Sequence, residues 1–459
     1  MDNILASLTR WSGDIAGYLW SPTQSPFIIL LVGTGIYLTL RLGLVQIFNF
    51  RHAIALVSGK YDKADDPGEV SHFRALSTAL SATVGTGNIA GVATAIALGG
   101  PGAVFWMWMT ALFGMASKFT SCTLALQYRT LHEDGSVSGG PMYTLRDGMK
   151  MPWLGILFAV FTLIASFGIG NMVQANSVVD GLSYIMPDAK EYSLVIGVVF
   201  AILVGLVIIG GIKRIAKVTS RVVPFMAIFY CLAAIIILLM HIEKIPAAFA
   251  TIFNLALNPW AAGGGAIGAA IQYGVARGVF SNEAGLGSAP MAHAAARTKE
   301  PVREGLVAML GPFIDTIIIC TMTALVIIIM GAWGTARPEG LVGASLSVHA
   351  FQLAIGPLGA WVVSIGLIFF AYSTMIAWSY YGDRSAEFLF GERAILPYRI
   401  IFTVLVVVGA YVPLNLVWNF ADIANMLMAL PNLISIIVLA GAVKKLRDEY
   451  FSRPQTPER

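Results

Sequence analysis

Charged residues and cysteines are both scarce in this chain of 459 residues. Lys, Arg, Asp and Glu together make up 12% of the sequence, whereas soluble globular proteins average about 25%. Hydrophobic residues make up 57% and the mean hydropathy is +0.77, so a soluble globule is excluded and a multi-spanning membrane protein is indicated. The three cysteines lie apart in apolar runs, which disfavours disulfides and metal sites.

Motifs of enzymes are also lacking. The six histidines do not cluster, and the sequence shows no phosphate-cradling loop, Ser/His/Asp order or paired carboxylate motif. We therefore expect no catalytic residues, no enzymatic activity and no cofactor. The net charge of +4 is attributed to loops on one side of a membrane, and a nucleic-acid partner is not expected.

Long apolar segments dominate the sequence and predict an all-α membrane protein. A helix needs about 20 mostly apolar residues to cross roughly 30 Å of hydrocarbon. Eleven segments meet this description. They lie near 26–44, 75–98, 102–127, 153–180, 192–211, 221–241, 263–291, 305–331, 345–381, 398–412 and 417–442. Residues 1–25 precede them, and their apolar positions recur every three or four residues, which predicts an amphipathic helix at the membrane surface.

The basic residues fall almost entirely on one side of these spans. The other side holds only Arg10, Lys190, Lys244 and Arg337, while Lys118 and Arg277 lie within the membrane. By the positive-inside rule the tail at 444–459 is cytoplasmic and the N-terminus is external. The predicted location is a plasma membrane, or an inner membrane of the bacterial type, crossed several times.

The spans divide into two sets of five once the first one, 26–44, is set aside. The sets cover 71–241 and 262–443, and the odd number means that the second enters the membrane from the opposite side. An inverted repeat is therefore predicted from the number of spans and the positions of the breaks, without clear residue identity between the halves.

Two soft stretches, 83–88 and 278–287, interrupt the first span of each set. Unwound backbone survives in the bilayer only where it lines a site or cavity, and matching broken helices indicate the binding site of a transporter. In the first stretch, Gly85 and Gly87 flank Thr86, and Asn88 adds an amide. Free backbone N–H groups there favour a carboxylate and free carbonyls favour a small cation. The alternative is that the glycines only allow close helix packing.

The second stretch contains Ser281, Asn282 and Glu283, which suit the N-terminus of a restarting helix. Arg277 directly precedes it and is predicted either to act in gating or substrate binding or to form a structural ion pair, with Glu283 as its candidate partner. Phe280 is a candidate wall of a small pocket, although a single Phe in a membrane helix is usually packing.

Other polar side chains lie on spans expected to face the breaks. Gln174 is predicted to reach a polar ligand, with Asn171 on the same helical face. Ser373 and Thr374 offer hydroxyl oxygens suited to sodium, although hydroxyls also bond to carbonyls of their own helix. Asp315 is intramembrane as well and is given no role.

The segment GGPGAVFWMWMTALFG at 99–114 resembles the signature of the alanine or glycine:cation symporter family, also called sodium:alanine symporters. The segments 84–90, 277–287 and 315–316 are also similar to family segments, so the resemblance extends over essentially the whole chain. One departure is Ser121, where the family usually has a glutamate, which leaves Lys118 in need of another partner.

The resemblance implies a LeuT-type fold of the amino acid-polyamine-organocation superfamily, with one extra helix before the five-plus-five repeat. It implies import of alanine or glycine coupled to sodium by alternating access, and a proton-coupled transporter of another small amino acid is the alternative. By the same analogy the substrate carboxylate lies near 85–88, with Gln174, Phe280 and Met375 as pocket walls. Ser281 and Asn282 are further candidate substrate-binding residues. Sodium is expected between the first broken helix, at Thr83 and Thr86, and the hydroxyls of Ser373 and Thr374.

Overall fold

The computed structural model describes residues 2–63, 65–133, 135–257, 265–334 and 337–455. The described chain is almost entirely helical, as predicted, apart from one antiparallel pair of two-residue strands, β1 (Thr130–Leu131) and β2 (Val137–Ser138). Parts of two predicted segments, 262–264 of the second repeat and 456–459 of the tail, lie outside the described residues, as does residue 1.

The helices of the first part of the chain run up to residue 257. They are α1 (Asp2–Leu19), α2 (Phe27–Arg41), α3 (Val45–Phe48), α4 (Phe50–Val57), α5 (His72–Thr83), α6 (Ala90–Gly99), α7 (Ala103–Gln127), α8 (Pro141–Tyr143), α9 (Pro152–Phe167), α10 (Val173–Ile185), α11 (Ser193–Ile208), α12 (Gly211–Met240) and α13 (Ile245–Leu257). Two π-helical segments, Thr144–Gly148 and Gly168–Met172, join α8 to the following loop and α9 to α10. Short 3₁₀ helices are Thr86–Asn88, Pro187–Lys190 and Ile242–Lys244.

The helices of the second part begin at residue 265. They are α14 (Gly265–Asn282), α15 (Ala289–His293), α16 (Pro301–Ala308), α17 (Leu310–Pro312), α18 (Thr321–Ile329), α19 (Gly343–Ile355), α20 (Pro357–Phe390), α21 (Ile395–Tyr411), α22 (Leu414–Val438) and α23 (Ala440–Ser452). A π-helical segment, Phe313–Cys320, joins α17 to α18, and a 3₁₀ helix, Glu392–Ala394, precedes α21.

Six helical stretches of the described residues are long and apolar enough to cross a membrane, or seven if α5 and α6 count as one bent span. The apolar helices α2, α11 and α19 are shorter. Large apolar side chains such as Ile202, Leu232 and Val404 are exposed on α11, α12 and α21, which is typical of a surface facing lipid. The chain is therefore a multi-pass membrane protein, while the total of eleven spans stays a prediction.

The first interruption lies where the sequence predicts it. Helix α5 ends at Thr83, a single 3₁₀ turn covers Thr86–Asn88, and α6 continues from Ala90 at an angle of 57°. All residues of the turn are buried, so the unwound backbone is enclosed by protein.

The second interruption begins later than predicted. Helix α14 continues through 278–282, and only the segment 283–288 is unwound before α15 begins. The left-handed backbone at Glu283, with φ of 54°, ends the helix. Gly278 belongs to the packed part of α14, because a β-carbon there would lie 2.4 Å from Thr110 Oγ1 of α7. That glycine therefore permits close helix packing and does not unwind the chain.

The predicted span at 345–381 is also wrong in its limits, because the structure divides it into α19 and α20. Gly356 separates them with φ of 65°, a conformation that glycine adopts readily, and Pro357 then starts α20 at a position where a missing N–H costs nothing. The division gives a short helix followed by one of 34 residues.

Packing around the two interruptions positions the candidate site. Helix α14 packs against α7 and α6, and α20 packs against α5, α9, α10 and α12. The N-terminal helix α1 packs along α22, where the Asn419 amide donates to Thr9 O and Ser12 Oγ, both at 3.2 Å. The predicted N-terminal helix is therefore present, and one of its faces contacts protein.

Candidate functional site

The first interruption is held open by side chains that bind its backbone. Asn88 Oδ1 accepts a hydrogen bond from Gly85 N–H at 2.8 Å, and Gln174 Oε1 accepts one from Thr86 N–H at 3.2 Å. Two of the backbone donors expected to be free are therefore already paired in this conformation. Gln174 reaches the break as predicted, whereas Asn171 does not, because its amide donates to Phe402 O at 2.6 Å.

The hydroxyl of Thr86 is the unpaired polar group of this break. Thr86 is fully buried, and its Oγ1 has no hydrogen-bond partner among the described residues. A buried hydroxyl without a partner costs free energy, and native proteins contain few of them. Its position between Gly85 and Gly87 marks a place where a polar ligand would satisfy it.

The first interruption lies against the last turn of α14 and against α20. A β-carbon at Gly87 would lie 3.1 Å from Ser281 Cα and 3.2 Å from Phe280 Cδ1, so a side chain at 87 would separate the two helices. A β-carbon at Gly85 would lie 2.4 Å from Thr374 Oγ1. The structure thus brings together five residues that the sequence only suggested would meet.

Asp315 joins the first interruption to the last turn of α14, although the sequence predicts no role for it. Its Oδ1 accepts from Asn88 Nδ2 at 2.7 Å, and its Oδ2 accepts from Ser281 Oγ at 2.9 Å and Thr316 Oγ1 at 2.6 Å. Cys320 Sγ lies 3.3 Å from both Asn88 Nδ2 and Ser281 Oγ. The sequence does contain a signal for this role, because a carboxylate inside an apolar span by default marks a functional position.

Ser373 and Thr374 contact α5, the part of the first broken helix that precedes the interruption, through one residue, Ser81. Thr374 Oγ1 donates to Ser81 O at 3.0 Å, and Ser81 Oγ donates to Ser373 O at 2.6 Å. The Ser373 hydroxyl itself donates to Phe370 O of its own helix at 3.0 Å. The Thr83 hydroxyl likewise bonds to Ala79 O and Leu80 O of its own helix.

Other predicted wall residues lie deep in the protein. Met375 is fully buried on α20, and Phe280 packs against Trp418 with ring centroids 4.5 Å apart. Asn282 donates through Nδ2 to Thr316 Oγ1 at 3.2 Å, and its Oδ1 caps Ala284 N–H at 2.9 Å. Asn282 therefore ends α14 and does not begin the next helix.

Glu283 spans the second interruption. Its Oε1 accepts from Trp378 Nε1 at 2.8 Å, and its Oε2 accepts from Ser288 Oγ at 2.5 Å. Lys118 has Ser121 nearby in sequence instead of the glutamate usual in the resembled family. It donates to Asn282 O at 2.9 Å beside the same break. These contacts hold the unwound segment between α7 and α20.

The predicted pair between Arg277 and Glu283 is wrong, because Arg277 forms an ion pair with Asp422 of α22. The guanidinium also lies over the Trp418 ring, 4.6 Å from its centroid. The reason is direction: Glu283 lies beyond the end of α14 and faces α20, whereas Arg277 faces α22. The ion pair borders a cavity of about 440 Å³, whose wall includes Gly13, Gly17 and Trp20 beside α22.

The sequence model of one family matches almost the whole chain, from residue 5 to 459. This is the sodium:alanine symporter family. The chain belongs to it. The resemblance carried by the segment 99–114 is thereby confirmed, and proteins of this family are transporters and not enzymes.

Two relatives agree with this membership. The sodium/alanine symporter AgcS of Methanococcus maripaludis is 51% identical over 433 residues, which cover 94% of each chain. A putative sodium/proton-dependent alanine carrier, YrbD of Bacillus subtilis, is 38% identical and covers 94% of this chain and 90% of its own.

The crystal structure of MhsT in complex with L-phenylalanine shows the fold. It superimposes with a TM-score of 0.59 over 81% of this chain and 89% of its own, at 15% identity. The fold of this chain is therefore of the LeuT type, as the family resemblance implies. The likeness extends to the backbone alone and assigns no site residue.

Proposed function

We propose that this family member is a secondary active transporter that imports alanine, glycine or both, coupled to sodium entry by alternating access. The observation that carries the proposal is the unpaired, buried Thr86 hydroxyl between two glycines, at the contact of the two interrupted helices. At this contact, such a group is available to bind a polar ligand. The name of the Methanococcus relative supplies the corresponding substrate and ion.

Close packing around the first interruption favours a substrate with a small side chain, such as alanine or glycine. Gly87 lies against Ser281 of α14, and the aromatic ring of Phe280 packs beside them against Trp418. We infer that the substrate carboxylate binds at the first interruption, beside Thr86. Binding there requires Gln174 or Asn88 to exchange a backbone partner for the substrate, and both are buried amides able to donate and accept.

Two sets of oxygen atoms support a sodium-coupled mechanism. One set comprises Ser81, Ser373 and Thr374, and the other surrounds the carboxylate of Asp315. Because a zwitterionic substrate carries no net charge, the cation supplies the work. One sodium ion contributes about 2.3 kcal/mol at 100 mV, and a tenfold gradient adds roughly 1.4 kcal/mol, enough for accumulation of several hundredfold.

We also propose the topology predicted from the sequence, with eleven spans, an inverted five-plus-five repeat and a cytoplasmic C-terminus. The support is that α5–α6 and α14–α15 are both interrupted, and that the first interruption packs against the last turn of α14 at Ser281. The lysines and arginines of α12 and α23 lie on one side of the predicted spans. The proposed partners of the protein also include the lipid bilayer and glycine.

Uptake of labelled alanine by proteoliposomes tests the function. Inward gradients of sodium and of protons are imposed separately, choline replaces sodium in the control, and unlabelled glycine serves as competitor. We expect saturable uptake driven by sodium, counterflow, inhibition by glycine and recovery of unmodified alanine. Non-saturating flux would indicate a channel, and a chemical product would indicate an enzyme.

The same experiment addresses the second candidate, a proton-coupled transporter of a small amino acid. The observation that favours it is the name of the Bacillus relative, which includes both sodium and protons. Uptake driven by the proton gradient in choline medium, and not by sodium, would replace the first proposal with this one.

A further inference from the structure

Helices α5 and α15, one from each interrupted pair, are joined by one carboxylate. His72 is the first residue of α5, and His293 is the last residue of α15. Glu304 of α16 lies between them, and its two oxygens are hydrogen-bonded to His72 Nδ1 and, at 2.5 Å, to His293 Nδ1. All three side chains are at most 1% exposed. A single buried group therefore ties together two helices from distant parts of the chain.

The backbone is paired at the same end of the molecule. The segment 67–70 leads into α5, and the segment 294–298 follows α15; together we name them the end clasp. Val70 and Ala296 form an isolated parallel bridge, in which Arg297 N–H donates to Val70 O at 2.7 Å. These bonds close the two segments against each other.

Arg129 reinforces the end clasp from the far end of α7. Its Nη1 donates to Ala294 O and Ala296 O, both at 2.7 Å. Its Nη2 donates to Pro67 O at 3.0 Å and to Thr298 O at 2.6 Å. One guanidinium thus binds carbonyls on both segments, and charged donors make strong hydrogen bonds.

The two ends of the transport pathway differ in this conformation. The end that bears Arg277 borders a cavity of about 440 Å³, whereas the end clasp is closed by backbone pairing and by Glu304. If substrate crosses by alternating access, the end clasp must open once in each cycle. Opening separates α5 from α15 and therefore breaks at least one bond to Glu304.

We propose that Glu304 is a positioning residue of the transport cycle, which holds α5 and α15 together while the pathway is closed at the end clasp. The inference rests on the proposed function only in the requirement that this end opens. His293 Nε2 has no hydrogen-bond partner among the described residues, so the bond to Glu304 is the side-chain anchor seen for α15. When one of the two histidines moves away, the buried carboxylate of Glu304 keeps fewer hydrogen bonds. Intermediate arrangements are therefore unfavourable, and the end clasp is expected to be either closed or open.

Alkylation of a cysteine in the end clasp tests this role. Ala296 is fully buried, so Ala296→Cys should react with a maleimide only when the end clasp opens. The full chain is reconstituted in proteoliposomes, and labelling at 296 is followed by peptide mass spectrometry, which separates it from the three native cysteines. We expect Glu304→Ala to raise the labelling rate on the order of tenfold, the factor expected from losing one hydrogen bond to a charged group.

Matched variants separate positioning from general damage. Glu300→Ala removes the same charge from a more exposed ion pair with Arg453 and should leave labelling unchanged. His293→Asn keeps a donor near the Nδ1 position and should label close to the unsubstituted rate, whereas His293→Ala should resemble Glu304→Ala. If Glu304→Ala fails to fold, the comparison of His293→Asn with His293→Ala tests the proposal instead.

Sodium distinguishes a role in the cycle from local packing. We expect saturating sodium to suppress the extra labelling of Glu304→Ala, because ion binding from the opposite side favours the closed end clasp. Unchanged labelling in Glu304→Ala and His293→Ala overturns the proposal, and so does an increase that sodium leaves untouched.

A disulfide across the end clasp links the inference to transport. Bridged residues on adjacent strands have a spacing compatible with a disulfide, so Val70→Cys with Ala296→Cys should cross-link under oxidant. We expect cross-linking to stop alanine uptake and a reductant to restore it, and uptake that continues when the cysteines are joined contradicts the proposal. Absence of sodium-driven uptake in the unsubstituted protein would instead refute the proposed function, because the labelling assay needs no substrate.

Discussion

Thr86 combines complete burial with an unpaired hydroxyl, so its contribution to folding and its contribution to binding should differ in sign. Thr86→Val keeps the shape and removes a group that has no partner to lose in the ligand-free protein. We expect unfolding stability to stay the same or rise, and the KM for alanine to rise roughly fivefold, the effect of about 1 kcal/mol for one hydrogen bond.

The measurements are thermal unfolding in detergent and the concentration dependence of labelled alanine uptake. Thr86→Ser keeps the hydroxyl and is the matched control, for which an alanine KM close to the unsubstituted value is expected. A normal KM in Thr86→Val would remove this hydroxyl from the substrate site.

Asp315 carries the negative charge where the first interruption meets the last turn of α14. Asp315→Asn keeps the size of the side chain but weakens its attraction for a cation, and its amide can no longer accept every bond from Asn88, Ser281 and Thr316. We expect the sodium concentration for half-maximal uptake to rise about tenfold or more, the effect of roughly 1.4 kcal/mol.

Uptake is measured over a series of sodium concentrations at saturating alanine. Glu243→Gln removes the charge of an exposed carboxylate and should leave the sodium dependence unchanged. If Asp315→Asn has the sodium dependence of the unsubstituted protein, Asp315 serves only to hold the first interruption against α14.

At the scale of the element, the second interruption depends on a side chain that reaches across it. Glu283 accepts from Trp378 of α20 and from Ser288 at the start of α15. The segment between them is not helical, so these contacts, together with the bond from Asn432 Nδ2 to Gly285 O, fix how far α14 and α15 separate. Bonds to a buried charged group typically contribute about 1.5–3 kcal/mol.

A double-mutant cycle on Glu283→Gln and Trp378→Phe should therefore show coupling of about 1 kcal/mol or more in the free energy of unfolding. Both substitutions preserve most of the side-chain volume, so packing losses are kept small. Denaturant unfolding of the purified protein provides the four values. Additive effects within about 0.5 kcal/mol would mean that the bond contributes nothing beyond packing.

How far the sequence predicts an element depends on the distance over which its cause acts. The first interruption is predictable because an apolar run is broken locally by glycines and polar residues, namely Gly85, Thr86, Gly87 and Asn88. The start of the second is misplaced because Gly278 has a packing role against α7 that only the fold reveals.

Partners distant in the chain are the part of the site that sequence patterns miss. Asn88 and Asp315 are 227 positions apart, and Arg277 and Asp422 are 145 apart. Charge pairing between neighbours in sequence suggested Glu283 for Arg277, but helix direction decides which face each side chain occupies. The family resemblance carried the fold correctly, because it draws on the whole chain.

At the scale of the molecule, the structure combines a closed end clasp with a cavity at the opposite end. Lining that cavity are residues of α1, α14 and α22, including Asn415. On the opposite predicted side, Lys217 of α12 belongs to a basic group with Lys213, Arg214 and Arg221. The proposed topology therefore places Asn415 outside the cell and Lys217 inside it.

Thiol labelling of intact cells tests both the topology and the direction of the cavity. We expect Asn415→Cys to react with a membrane-impermeant maleimide added outside, and Lys217→Cys to react only after permeabilisation. The background from the native thiols should be low, since Cys122 and Cys320 are buried and Cys231 is only partly exposed. The reverse labelling pattern would invert the proposed orientation and make the end clasp the external closure, because both predictions depend on one assignment of sides by the positive-inside rule.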